Sequence, residues 1–436
     1  MAAAGVAVVG IGGYLAAQAV VGNEVEKALV ESFERLDRSP SLSVSDVHID
    51  KTLFSTTATA TLAMAGYEQT TAELDMHIDH GILKSPVTGT IHPNEAFITG
   101  DIDIDMIASM SGVEGQLTAD TLKPAEAAVD GAMTGLVIDV SYTDENRWRV
   151  DTQADEIAFT RWVDIPPFRV ISPHWAMSTQ DEESESVVQR MDIPRLEITT
   201  QGLDVYLEAI EFEAVMEPSA KADVTQRPVQ NQNGSFRVAD IGIDDTSIGS
   251  LSMTILANNW DGQAFQDYHE DYANLVFMKN RFEEEPESVD EALYRQTIDR
   301  VIENGYLFLS ASPEVAIAPL DAHIAMPTLG LDFKPHLSAQ MRFDGEALSR
   351  EALDSLAYTS DLVLIDPPAA QGGMNEEQAN AYLLNRIYFD VRLTTPPREV
   401  LMQLPLLVGL MIDPALEEQT LTWDRGQLTL NGETVM

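Results

Sequence analysis

From about residue 41 onward the apolar residues of this chain stop recurring at helical spacing and begin to alternate one by one. No other feature constrains the fold as strongly. A period of about 3.6 gathers apolar side chains on one stripe of a helix, whereas a period of 2 gathers them on one face of a strand. SVSDVHID, TATATLAMAG, TTAELDMHID, PVTGTIH and FITGDIDIDM follow one another with Gly, Pro, Asn or Ser between them. Short alternating runs in such close succession predict an antiparallel meander. Alternation continues in LVIDVSY, in Trp148 to Phe159, in LEITTQGLDVYLEAIEFEAVM and in FRVADIGIDDTSIGSLSMTIL. DEESES at 181–186 and KADVTQRPVQNQNGS are the loop candidates between them.

Helical spacing appears in GQAFQDYHEDYANLVFMKNRF and SVDEALYRQTIDRVIENG, separated by EEEPE, and later in EALSREALDSLAY, NEEQANAYLLNRI and REVLMQLPLLVGLMI. Strand patterns return in EVAIAPLDAHIAM, LGLDFKPHLSAQMRFDG and IYFDVRLT, and the chain closes on TLTWDRGQLTLNG, where Asp424-Arg425-Gly426 supplies hairpin-turn chemistry. The fold class expected is α+β: β-rich, with long antiparallel meander sheets, several helices packed on them, and an N-terminal transmembrane helix in front. The organisation expected is an anchor at residues 1–23, a connecting helix at 24–40, a β-rich part at 41–260, and a mixed part at 261–436 that continues the same sheet.

Met1 to Asn23 carries no charge and would span roughly 30 Å as a helix, enough to cross a bilayer. A cleaved signal is the competing reading, with Ala17-Gln18-Ala19 as the small-x-small site. Lys27, Arg35 and Arg38 follow the apolar run while no basic residue precedes it, so the positive-inside rule read literally would leave the remainder in the cytoplasm. A basic segment upstream of Met1 is therefore expected. Beyond it, Val25, Leu29, Val30, Phe33 and Leu36 recur at near-helical spacing. Val400 to Ile412 is a second uncharged segment, too short to span, and reads as a buried helix, a groove plug or a partner-binding element kinked at Pro405.

Composition enters through charge. With 71 acidic and 26 basic side chains the formal net charge is −45, and there is no cysteine. Nucleic acid is excluded as a general partner, because phosphate backbones need Lys/Arg surfaces; disulfide scaffolds and zinc-thiolate sites are excluded too. Self-repulsion of this size weakens a compact fold unless salt screens it. A salty working medium, in a halophile or a compartment equilibrating with seawater, fits that arithmetic. The plainer alternative is an acidic surface kept for solubility.

Candidate chemistry is sparse. His77-Ile78-Asp79-His80, with His48 and Asp50, suggests metal ligands, yet positions three apart in a strand face opposite ways and the full spacing of a zinc site is missing. A structural His80 ending a strand, with Gly81 turning the chain at φ > 0, is the preferred reading. Asp101-Ile102-Asp103-Ile104-Asp105 opens like a calcium loop but has Met106 where the turn glycine belongs, and reads as a solvated strand face. G-x-S-x-G, H-E-x-x-H and glycine-rich phosphate loops are absent, His269-Glu270 leads into Asp271-Tyr272-Ala273, and Asp366-Pro367-Pro368 reads as a turn. No catalytic, metal or cofactor residue is assigned.

Leu53-Phe54-Ser55 before alternating Thr and Ala, and Ile78-Asp79-His80-Gly81 closing a strand, behind an apolar anchor and a short helix, resemble the YdgA-like family of proteobacterial envelope proteins. Ile82 stands where that family's pattern expects Pro. The resemblance implies an inner-membrane anchor with the bulk of the chain in the periplasm, and carries no established activity. Two functions follow as expectations. One is a non-enzymatic envelope protein whose extended sheet serves as a scaffold or handles an apolar ligand, with the membrane, a lipid, a periplasmic protein or a second copy as partners. The other is a hydrolase of an envelope polymer using carboxylates that folding brings together.

If the acidic surface is an adaptation to salt, the melting temperature should rise from low salt to about 1 M NaCl, where the Debye length falls to about 3 Å. A scanning-calorimetry series that stays flat over this range would favour the solubility reading.

Overall fold

In a computed structural model of the protein the described residues are 29, 30, 33, 42–64, 72–81, 83–94, 98–109, 111–125, 129–143, 147–162, 165–179, 186–200, 202–222, 225, 228–244, 246–284, 291–326, 330–359, 374–397 and 412–435. The proposed anchor at 1–23, Ile82, Asp366-Pro367-Pro368 and nearly all of the 400–412 segment lie outside them, as does most of the connecting helix. Among the described residues, no helix is long and apolar enough to cross a membrane. Two compact units divide the chain, residues 1–213 with 237–249 and residues 214–236 with 250–436.

The first unit is the predicted meander. β1 (Leu42–Lys51), β2 (Ser55–Met64), β3 (Ala72–Asp79), β4 (Lys84–Pro93), β6 (Ile102–Ser109), β7 (Gly112–Pro124) and β8 (Asp130–Thr143) pair antiparallel in that order, and the two-residue β5 (Ile98–Thr99) pairs with the end of β7. β5 and β6 replace the single strand expected over FITGDIDIDM, because Gly100 between them adopts a φ of 113°. Beyond β8 the sheet continues in split strands. β9 (Trp148–Gln153) and β10 (Glu156–Arg161) lie along β8, followed by β12 (His174–Thr179) and β11 (Phe168–Ile171), and β13 (Val187–Thr200) pairs with both of these.

Trp148 to Phe159 is therefore two strands and not one. Ala154 leaves the ladder to donate to the Pro173 carbonyl, and Asp155 donates to Thr134 and accepts from Ser172. The break extends to Gly135 of β8, at φ 62°, where a Cβ would meet the Asp155 carboxylate. Three long strands, β14 (Leu203–Ala222), β15 (Pro228–Ile243) and β16 (Thr246–Trp260), contribute to both units. Contacts Arg190–Glu213, Arg195–Glu208 and Thr199–Asp204 keep one antiparallel register between β13 and β14 around Gly202, at φ 82°. β15 begins inside the expected loop KADVTQRPVQNQNGS: Val229 is buried and the Asn231 side chain accepts from the Asn259 amide, so a polar segment is held in strand form by its partners.

In the second unit, α1 (Gly262–Glu284) and α2 (Glu291–Ser310) follow β16, and α3 (Arg350–Thr359) and α4 (Glu376–Leu384) lie between later strands. Leu275 of α1, Tyr294, Ile298 and Ile302 of α2, and Leu353 and Ala357 of α3 form one cluster, so these helices bury their stripes largely against each other. α4 starts on an Asn375/Gln378 capping box. β17 (Glu314–Met326) pairs with β18 (Leu331–Phe333) and β19 (His336–Phe343). The ladder then runs through β20 (Ile387–Thr394), β21 (Glu418–Asp424), β22 (Gln427–Leu430) and β23 (Glu433–Thr434). Arg425 and Gly426, both at positive φ, make the predicted terminal hairpin turn.

The core of the first unit follows from strand parity. Directly opposed residues share a face, and Ala58, Met76, Gly89, Ile104, Leu117 and Ile138 form one row across β2, β3, β4, β6, β7 and β8. The neighbouring outward row is Thr57, His77, Thr88, Asp105, Gln116 and Asp139. Among the described residues, only Leu29 and Phe33 join this inner cluster from outside the sheet, at 0% and 3% exposure. They lie four positions apart and so on one helical face. Phe33→Ala should cost about 3–5 kcal/mol, whereas Val30→Ala, at an exposed position, should stay within about 0.5 kcal/mol. Urea unfolding of the two variants checks this; equal midpoints would mean that the helix is not part of the sheet's core.

Candidate functional site

Past β8 the inner face keeps its apolar composition but is less deeply covered. Met133, Ile157, Val170 and Leu196 oppose one another across β8, β10, β11 and β13, while Ile138, Thr152, Trp175 and Met191 do so across β8, β9, β12 and β13. Ile138 is buried and the other seven are half-buried. Phe159 stacks on Phe168 with ring centroids 5.1 Å apart, and its ring covers Gly131 of β8, where a Cβ would lie 2.4 Å from it. The sequence showed the alternation that builds these rows; the difference in cover between β2–β8 and β9–β13 depends on what packs above the sheet and leaves no mark in the period.

A second feature lies where the β1–β2 and β3–β4 turns meet. Thr52 closes the first turn: its amide donates to the Ser55 carbonyl, and its hydroxyl accepts from the amides of Phe54 and Ser55 at 3.3 and 3.0 Å. The His80 amide donates to the Phe54 carbonyl at 2.7 Å. One ring nitrogen, Nδ1, lies 3.3 Å from the Leu53 carbonyl and the other, Nε2, lies 2.8 Å from the hydroxyl of fully buried Thr56. A carbonyl can only accept, so Nδ1 carries the proton, and in the neutral ring Nε2 accepts from Thr56. His80 is thus a pin between two turns. Gly81 donates its amide to the buried Ser85 hydroxyl. Its φ is not positive, contrary to expectation. The constraint is space, since a Cβ would lie 1.6 Å from the Lys84 carbonyl oxygen.

These pinned turns display the three most exposed large apolar side chains among the described residues, Leu53 at 81%, Phe54 at 75% and Leu83 at 71%. The sequence signal was present, because Leu53-Phe54 breaks the alternation with two adjacent apolar residues.

Several histidines pair with aspartates at exposed positions in each unit. His77 bonds to Asp79, His92 to Asp101, His323 to Asp332 and His336 to Asp321. His174 lies 2.7 Å from Asp151 and 3.6 Å from Asp192. His48 is bonded to the Asp46 carbonyl in its own strand. Hydrogen bonding to Asp101 raises the His92 pKa against a smaller effect of burial. Burial pushes the Asp151 carboxyl up, yet hydrogen bonds from Arg149 and His174 outweigh it and leave the pKa lowered. Asp101 and Asp103 accept from His92 and Thr90 on a solvated strand face, as read from sequence. His48, His77 and His80 are not gathered together, and no group of three or more metal-ligating side chains occurs among the described residues. Asp354 of α3 is a carboxyl whose pKa burial raises, although Arg350 beside it acts in the opposite sense. Its surroundings are an exposed ion network with Glu303.

Residues 100–436 match DUF945, described as a bacterial protein of unknown function. No curated protein and no solved structure matches the chain.

The two turn residues should respond differently to substitution. Gly81→Val forces a side chain into the Lys84 backbone and should cost more than about 3 kcal/mol. His80→Asn keeps a donor and an acceptor and should cost about 1–2 kcal/mol for the weakened contact to buried Thr56. Melting curves of both variants, beside elemental analysis of the parent, check this. Stoichiometric zinc that disappears with His80→Asn would instead make His80 a ligand.

Proposed function

Because the chain belongs to the DUF945 family of bacterial proteins, we propose that it is a non-enzymatic protein of the bacterial cell envelope whose extended sheet handles an apolar ligand. Residues 1–23 anchor it in the inner membrane, and the bulk of the chain lies in the periplasm. The observation that carries the ligand reading is the half-buried apolar continuation of the inner face, Met133, Ile157, Val170, Leu196, Trp175 and Met191. Within each row neighbouring side chains stand about one strand spacing, 4.8 Å, apart, which suits an acyl chain laid across strands. Such rows give area without polar orientation, which matches a ligand held by its hydrocarbon part. The YdgA-like features Phe54-Ser55 and Ile78-Asp79-His80-Gly81 support the envelope assignment. The hydrolase alternative needs a cleft with two close carboxylates of raised pKa. Asp354, beside Arg350 in an exposed network, gives it little support.

Lipid extracted from the purified full-length chain and identified by mass spectrometry should include a species retained in near-stoichiometric amount. Val170→Asp with Leu196→Asp should remove most of it, because charge in an apolar row opposes a hydrocarbon occupant. Equal lipid content in parent and variant would sink the ligand reading. A C-terminal fusion that gives cytoplasmic fluorescence and no phosphatase activity would sink the location.

A further inference from the structure

We infer that the paired turns bearing Leu53, Phe54 and Leu83 are a lipid-surface foot, which dips apolar side chains into the outer part of a bilayer while flanking lysines meet anionic headgroups. The inference rests on the reading of the chain as membrane-anchored and adds a second, peripheral contact to it.

Scattered exposed apolar residues are ordinary on any protein. This group differs in three respects. The next most exposed large apolar residues, Val435 at 59% and Met341 at 57%, lie elsewhere in the chain, so the extremes of exposure coincide on two adjoining turns. Both turns are fixed by hydrogen bonds. Thr52 closes one, and the His80 ring and amide hold it against the other, so Leu53 and Phe54 are kept in water by well-ordered backbone instead of folding back onto the sheet. Rigid presentation lowers the ordering cost of binding.

Charge selects the occupant. The chain has seven lysines, Lys27, Lys51, Lys84, Lys123, Lys221, Lys279 and Lys334, and two of them flank the exposed group. Lys51 precedes Thr52-Leu53-Phe54 and Lys84 follows Leu83, while the segments 52–54 and 80–84 contain no acidic residue. Lys84 is 65% exposed, its carboxylate neighbour Glu114 standing 4.0 Å away. An apolar tip flanked by Lys51 and Lys84, on a protein of charge −45, is complementary to an anionic lipid surface: the side chains enter the acyl boundary and the ammonium groups remain among phosphates. The remaining acidic surface would be repelled by the same membrane, so contact is confined to this tip.

The absence of cysteine allows a test on the full chain. Leu83→Cys carries a nitroxide, and its accessibility to oxygen and to a nickel chelate is compared on vesicles of phosphatidylcholine with phosphatidylglycerol. Met341→Cys, labelled in the same way, is the reference. The expected result is an oxygen-to-nickel ratio at Leu83→Cys several-fold above that at Met341→Cys, returning to the reference when Leu53→Ser and Phe54→Ser are added. Lys51→Gln with Lys84→Gln should lower the ratio on phosphatidylglycerol vesicles and leave it unchanged on phosphatidylcholine alone. Vesicle-bound protein whose two labels read alike would overturn the foot and leave the anchor standing. A label at Leu83→Cys shielded from both reagents would overturn it in favour of a protein contact. Protein that does not sediment with vesicles at all would overturn both the foot and the anchor.

Discussion

The structure of the first unit depends on a register shared without slippage from β2 to β8. In an antiparallel ladder the side chains opposite one another face the same way, so a shift of one residue at any pairing would turn a whole strand inside out. The inner rows show what enforces it. Gly89 lies between Met76 and Ile104, and Gly115 between Met106 and Val140, so each missing side chain faces large ones. At Gly115 a Cβ would lie 2.4 Å from the Met106 Cα. Sliding a strand would drive a side chain into that backbone as well as exposing its apolar set.

The same register disposes of the charge. β3 and β6 present Asp75, His77, Asp103 and Asp105 outward, and between them β4 presents Thr88 and Thr90. β2 and β7 present Thr57, Thr59, Gln116 and Thr118 on either side. Asp75 and Asp103, opposite Thr90 on its two sides, therefore stand about 9.6 Å apart, twice the strand spacing. Asp139 and Asp151 are an exception, standing directly opposite each other. Gln116 donates to the first, and Arg149 and His174 donate to the second. A high acidic content is thus accommodated by position as well as by screening.

How much of this was legible in the sequence depended on how local the cause was. Strand identity over β1–β4, β6 and β8 and the terminal hairpin followed from alternation and turn residues, whereas β7 was not among the runs read and β5 was merged with β6. The split at Ala154-Asp155 did not, because alternation runs through it and the groups that break the ladder, Pro173 and Thr134, are remote in sequence. The start of β15 was hidden for a related reason, since its polar residues are satisfied by Asn259 on the strand that follows. At the paired turns the sequence offered His80 and Gly81 as a structural corner. It could not show that the ring reaches back to Leu53 and Thr56, 27 and 24 positions earlier, nor that Gly81 is required by the Lys84 carbonyl.

Nearest-neighbour pairing also bears on how such a chain becomes a protein. From β1 to β8 nearly every strand pairs with the one made just before it. Loop closure is short at each step, so little chain entropy is lost before a ladder rewards it. A polypeptide delivered N-terminus first therefore meets, for each arriving strand, an edge already formed. Until the next strand arrives, that edge is the exposed template on which a wrong partner could add. The meander thus makes assembly vectorial, and it places the risk of misassembly at the growing edge.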